Sequence, residues 1–218
     1  MGTSPTMAIV AALGRHPNSA DLGLDTVGLE PGKAIEVDDN LRSTSLDWLY
    51  AVGDVNGRVP LTHQGKYQGR ICADVIVARA NGVDERRLAE DTKYRAYADE
   101  RMVPQVVFTD PQVASVGLTE AQAREQGFDV RVVEYDLGAV AGASLEADGY
   151  TGKANLVVDE ARHVPIGATF VGQGVDEMVH AATIAIVGEV PMETLWHAVP
   201  SFPTKSEIWL RLLETYGL

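Results

Sequence analysis

The stretch Trp48-Leu49-Tyr50-Ala51-Val52-Gly53-Asp54-Val55, followed closely by Leu61-Thr62-His63-Gln64-Gly65, decides how the chain is read. An apolar run of strand length ends in Gly-Asp, a loop bounded by Pro60 follows, and helical periodicity runs from about residue 62 to 80. This places Asp54 at the carboxyl end of an expected strand, beside the start of an expected helix. Open α/β sheets hold ligands at such strand ends, and helix N-termini attract electron-rich groups. An Asp after a strand also suits a turn or a helix cap, with Asn56-Gly57 supplying the turn.

Working outward, the chain divides into two expected units. In the first, residues 7–12 read as a strand, 21–27 as a short helical turn, and 34–41 as a surface strand or hairpin. A polar, Gly-punctuated break begins at Asn81, and residues 83–102 read as a charged linker with room for a helical turn. In the second unit, 103–218, strands are expected at 105–109, 112–117, 129–136, 153–159 and 166–172. Helices are expected at 119–126, with Thr119 as cap and Gly127 as stop, and at 175–187, 192–197 and 205–216. That order predicts an antiparallel sheet with helices packed to one side, an α+β domain after an α/β one.

Composition narrows the chemistry. The 218 residues are 45% apolar, enough for a core, and no apolar run reaches the roughly 20 residues of a spanning helix. A net charge of −13 argues against nucleic acid and anionic membranes as partners. The first residues carry no basic segment ahead of an apolar run, so no export signal is read there. With one cysteine, the expected compartment is the cytoplasm. Cys72 falls among Ile71, Val75 and Ile76 on the expected long helix and reads as a buried, inert thiol. A lone cysteine forms no intramolecular disulfide, and no residues suggest a metal site. Gly172-Gln173-Gly174-Val175-Asp176-Glu177 is the nearest approach to a glycine-rich phosphate loop. It lacks the third glycine, and its acidic residues would meet a pyrophosphate with like charge, so it reads as a strand-to-helix connection with an acidic helix N-terminus.

Several blocks together resemble the pyridine nucleotide-disulfide oxidoreductases, the two-dinucleotide flavoproteins that include lipoamide dehydrogenase, mercuric reductase and glutathione reductase. Val10 to Asn18 is similar to the family's "ATGRxPN", with Leu13 at the usual Thr; Leu49 to Val55 resembles "YAxGDV", and Leu61-Thr62-His63 resembles "LAH". Pro104 to Pro111 and Ala114 to Glu120 are similar to the entry strands of the C-terminal dimerisation domain, and Pro200 to Glu207 resembles the terminal "HPTxSE". The resemblance implies that residues 7–82 are the C-terminal part of an FAD-binding domain and 103–218 a dimerisation domain, so that the chain forms a homodimer. It further implies that Asp54 binds the ribityl part of FAD and that the helix starting at Leu61, Thr62 and His63 faces the flavin's N1–C2=O edge, with His63 adding a side-chain bond or serving only in capping and packing.

The departures carry as much meaning. Both glycine-rich dinucleotide fingerprints and the redox cysteine pair are missing from these 218 residues, so neither FAD nor NAD(P) is expected to bind tightly to this chain alone. In the family a C-terminal His-Glu pair reaches the partner's site as acid/base machinery. Glu207 matches the Glu, but Phe202 stands at the His, and a phenyl ring transfers no proton. His197, five residues earlier, reads as a structural histidine, and Phe202 and Trp209 are expected to pack at a dimer surface. The leading expectation is therefore the C-terminal part of an FAD-dependent oxidoreductase, redox-inactive on its own. The alternatives are a stand-alone scaffold or non-redox catalyst in the former flavin pocket, and one half of a split flavoenzyme completed by a separate N-terminal FAD- and NAD-binding chain.

Overall fold

The computed structural model describes residue 12 and residues 14–218. Most of the expected strand at 7–12, and residues 10, 11 and 13 of the Val10–Asn18 block, lie outside the described residues. The chain forms two compact units, divided between Tyr97 and Ala98.

In the first unit, the expected turn appears as a 3-10 helix at Leu24–Val27. The alternating segment becomes a tight hairpin, with Val37 bridged to Ser43. Asp38 builds its turn by accepting hydrogen bonds from the amides of Asn40 at 2.9 Å and Arg42 at 3.0 Å. This turns Leu41 into the left-handed region at φ 62° and buries it completely. Among the described residues the expected strand at 48–52 does not form a ladder. Val52 is extended, but only one bridge joins the run to the hairpin, Arg42 to Tyr50. A strand needs a neighbour along its length, and the hairpin turns back after a few residues. Burial along the run is mixed: Ala51 is buried, while Trp48 is 61% exposed.

Helix α1, Thr62–Ala80, buries Gln64, Gln68, Cys72, Val75 and Ala78, one stripe at three- and four-residue spacing. The stretch read as a linker is largely structured. Helix α2, Glu85–Glu90, is capped by the Asp84 carboxylate, which accepts from the Arg86 amide at 2.8 Å. Leu88 and Tyr94 pack on Val75 and Ala78, so the chain as far as Tyr97 belongs to the first unit. The signal was the isolated apolar Leu88 and Tyr94 among charges, which a charge-based reading passes over.

The second unit is a five-stranded, wholly antiparallel sheet made of β1 (Gln105–Val107), β2 (Gln112–Gly117), β3 (Val130–Asp136), β4 (Lys153–Asp159) and β5 (Val164–Gly172), in the order β1-β2-β5-β4-β3. Alternation along the strands sends Ala114, Val116, Val133, Leu156, Val158 and Phe170 to one core. Against it pack α5 (Val179–Val187), α6 (Met192–Leu195) and α7 (Ile208–Tyr216), through Val179, Ala182, Met192, Ile208 and Leu212. Helix α3, Glu120–Glu125, begins with a capping box between Thr119 and Gln122. It packs Ala123 against Val130 and Val157, and Val157 points away from the main core between Leu156 and Val158.

Two local readings change in this unit. Helix α5 starts at Val179 rather than 175, because residues 175–178 are taken up by turns after Gly174, at φ 63°; Asp176 and Glu177 thus precede the helix. Helix α4, Ala141–Glu146, was not anticipated: its Ala-Gly-Ala composition has weak amphipathic contrast.

Candidate functional site

The Gly53–Asp54 turn is a 3-10 helix, Gly53–Asn56, packed on the first turn of α1. The approach is backbone to backbone: a Cβ on Gly65 would lie 3.3 Å from the Gly53 Cα. Gly53 itself has φ 76°, a conformation that favours glycine. Sequence reasoning placed the turn but missed what holds it. The fully buried Gln68 Oε1 accepts from the Gly53 amide at 2.7 Å and from Asn56 Nδ2 at 2.9 Å. Asn56 Nδ2 also donates to the Ala51 carbonyl at 3.1 Å. The available signal was a pair of glutamines, Gln64 and Gln68, on the stripe shared with Cys72 and Val75. Polar residues placed on a buried stripe have backbone groups to satisfy.

The Asp54 side chain is 59% exposed and forms an ion pair at 3.7 Å with Arg15. It is not consumed by its own turn: the Gly57 amide donates to the Asp54 backbone carbonyl, and the Arg58 amide to the Asn56 side chain. Leu61 is the N-cap residue of α1 and has no side chain able to accept there, while Thr62 and His63 are exposed on the first turn. Asp54, Leu61, Thr62 and His63 thus share one short stretch of surface-forming chain in the first unit.

Glu207 belongs to the second unit, in the 3-10 turn Lys205–Glu207 that leads into α7. It is buried, and its Oε1 accepts from Arg211 Nη2 at 2.6 Å, one helical turn on. Its Oε2 is buried without a hydrogen-bond partner among the described residues. Phe202, at the position of the family's histidine, is 76% exposed, and His197 is exposed. An apolar groove of about 310 Å³ lies beside this segment, lined by Ile184, Ala185, Leu195, Ala198, Pro200 and Trp209. Among the described residues no cluster of three or more His, Cys, Asp or Glu side chains could hold a metal ion, and no helix is long and apolar enough to cross a membrane. Cys72 is buried, and burial pushes its thiol pKa up.

Residues 103–212 match the family model of the pyridine nucleotide-disulphide oxidoreductase dimerisation domain, and residues 2–69 match that of pyridine nucleotide-disulphide oxidoreductase. The chain belongs to this family. Among curated relatives, dihydrolipoyl dehydrogenase of Bacillus subtilis is 30% identical over 207 residues, covering 94% of this chain and 41% of the relative. The Mycobacterium tuberculosis dihydrolipoyl dehydrogenase is 36% identical over 201 residues, covering 91% and 40%. The chain thus spans about two-fifths of the length of the oxidoreductases it matches. The HOCl-induced flavoprotein disulfide reductase RclA from Escherichia coli superimposes with a TM-score of 0.72 at 28% identity, over 93% of this chain and 44% of that one. LpdA from Mycobacterium tuberculosis shares the fold, with a TM-score of 0.76 at 23% identity over 95% and 42%.

Proposed function

We propose that this chain supplies the flavin-facing turn and the dimerisation domain of an FAD-dependent pyridine nucleotide-disulfide oxidoreductase, and that alone it carries out no redox reaction. The observation that supports the reading best is the turn itself: Gly53–Asp54 lies on the first turn of α1 with its carboxylate outward and unused by local amides. These residues fit the ribityl and flavin end of FAD. Asp54 would accept from sugar hydroxyls, and the start of α1 would set its dipole toward the electron-rich edge of the ring. FAD, when bound, supplies the electron-transfer chemistry. The residues present do not fit its pyrophosphate end, since the 172–177 connection presents Asp176 and Glu177 and its helix begins only at Val179.

In the second unit, the groove at Trp209 and the exposed Phe202 support a homodimer. With Phe202 in place of a histidine, Glu207 pairs with Arg211, and we assign it a role in holding the C-terminal segment rather than in proton transfer. The single buried thiol suits the reducing cytoplasm.

The reading is tested on the purified chain by its mass in light scattering at micromolar concentration and its absorption in the flavin bands, with and without added FAD. The expected outcome is a dimer that stays colourless after desalting. A stoichiometrically yellow protein would overturn the assignment of inactivity, and a monomer would overturn the assignment of dimerisation.

A further inference from the structure

The C-terminal segment has an exposed apolar tip on a tightly held base. Val199 is 86% exposed and Phe202 76%, whereas Ile208, six residues after Phe202, is fully buried. The transition falls at Lys205, whose side chain is only 14% exposed. Its ammonium pairs with the Glu146 carboxylate, donates to the Gln173 carbonyl at 2.7 Å, and lies 5.5 Å from the centre of the Tyr150 ring. Tyr150 donates its own hydroxyl to that same carbonyl at 2.7 Å. Burial, with Glu146 beside it, pushes the Tyr150 pKa up to about 12, so the donor persists across the working pH range.

The surrounding backbone is shaped to this contact. Helix α4 touches the segment at Gly142, where a Cβ would strike the Thr204 carbonyl carbon and the Lys205 amide nitrogen. Thr204 Oγ1 donates to the Ser201 carbonyl at 2.7 Å, which ties the tip to its base. Lysine is seldom so enclosed unless its charge is matched, and Glu146 matches it here.

We propose that Lys205, through its ion pair with Glu146, is the positioning residue of segment 199–204 and holds the apolar tip in the geometry that a second copy of this chain engages. The proposal rests on the reading of the second unit as a dimerisation domain. A tip ordered before association loses less conformational entropy on binding, and an aromatic side chain presented that way is a typical energetic anchor. Methionine at 205 would keep the apolar stem and remove the charge.

The test uses the full chain and compares wild type, Lys205→Met, Glu146→Gln and the charge-exchanged Lys205→Glu/Glu146→Lys. Dimer dissociation is measured by sedimentation, and amide hydrogen exchange is read over residues 199–204 and over β4–β5. Lys205→Met and Glu146→Gln are expected to weaken the dimer by roughly tenfold and to speed exchange at 199–204, with β4–β5 protection unchanged and the exchanged pair recovering much of the loss. A dimeric wild type with variants of equal affinity would overturn the positioning role alone. So would protection lost equally at β4–β5, which would mark the pair as merely structural. A wild type that stays monomeric would instead overturn the dimer reading, and the proposal with it. Should Lys205→Met fail to fold, Glu146→Gln alone decides, since Glu146 is one-third exposed and its loss leaves the core intact.

Discussion

In the second unit, the backbone groups of five strands pair with one another, and an apolar core of Leu156, Phe170, Met192, Ile208 and Leu212 lies behind them. In the first, no strand ladder forms among the described residues, and side chains take over the same task. Asn40 donates to the Leu88 and Tyr94 carbonyls at 2.8 and 2.7 Å, Gln68 receives Gly53 and Asn56, and Arg58 donates to the Asp38 carbonyl at 3.0 Å. Its described apolar residues are divided among three small clusters rather than one core. A sheet satisfies its amides by repetition and tolerates local change. A loop-rich unit satisfies them one by one, so single polar side chains there carry the weight that apolar ones carry in the sheet.

The contrast breaks most readily at Phe170. It is fully buried on the central strand β5, and Phe170→Ala is expected to destabilise the second unit by about 3–5 kcal/mol. Urea unfolding monitored by exchange in β4–β5 checks this; a loss below about 1 kcal/mol would mean a core far looser than its burial indicates. Next comes Gln68→Ala, expected to cost about 1–3 kcal/mol in the first unit by stranding Gly53 and Asn56. Asp54→Ala, only two residues from Asn56, serves as its control and should stay within about 0.5 kcal/mol, because its ion pair is exposed. Equal losses from both would show that the carboxylate holds the turn as much as the glutamine does.

A further small effect is pH-dependent. Hydrogen bonding from Arg95, reinforced by Arg58 and opposed by burial, holds the Asp39 carboxyl below its ordinary range. A depressed folded pKa contributes stability above the unfolded value and loses it as pH falls through the folded one. Because Asp39 is more than one-third exposed, solvent screening discounts the effect. Asp39→Asn should therefore cost no more than about 1 kcal/mol near neutrality. The gap to wild type should narrow as pH falls below the ordinary Asp value of about 3.9 and through the depressed folded one. A gap that persists in acid, read from denaturant midpoints, would assign the contribution to geometry rather than charge.

The second unit was legible because its strands alternate and its turns carry Gly, Pro and a capping box: β2 and β4 fall at their predicted limits. The long helix α1 was legible from periodicity, Thr62 to Ala80. What escaped was structure without period. The run at 48–52 has a strand's composition, yet whether it pairs depends on a neighbour that its own residues do not specify. Helix α4 is made of small residues, and its meaning lies in its contact with Thr204 and Lys205, sixty residues away in sequence and invisible to local pattern. For the candidate site, motif resemblance nominated Asp54, Leu61, Thr62, His63 and Glu207. The supporting Gln68 left a signal only as a glutamine on the apolar stripe of α1, and Arg211 emerged only from three-dimensional placement.

Cys72 gives the first unit an internal clock. It is the chain's single thiol, it sits on the buried stripe of α1, and its raised pKa keeps it protonated and unreactive while that helix is packed. A thiol reagent therefore gains access only when α1 lifts from Leu41 and Ala96. The labelling rate then reports openings of this unit separately from those of the five-stranded sheet, which contains no sulfhydryl to confuse the signal.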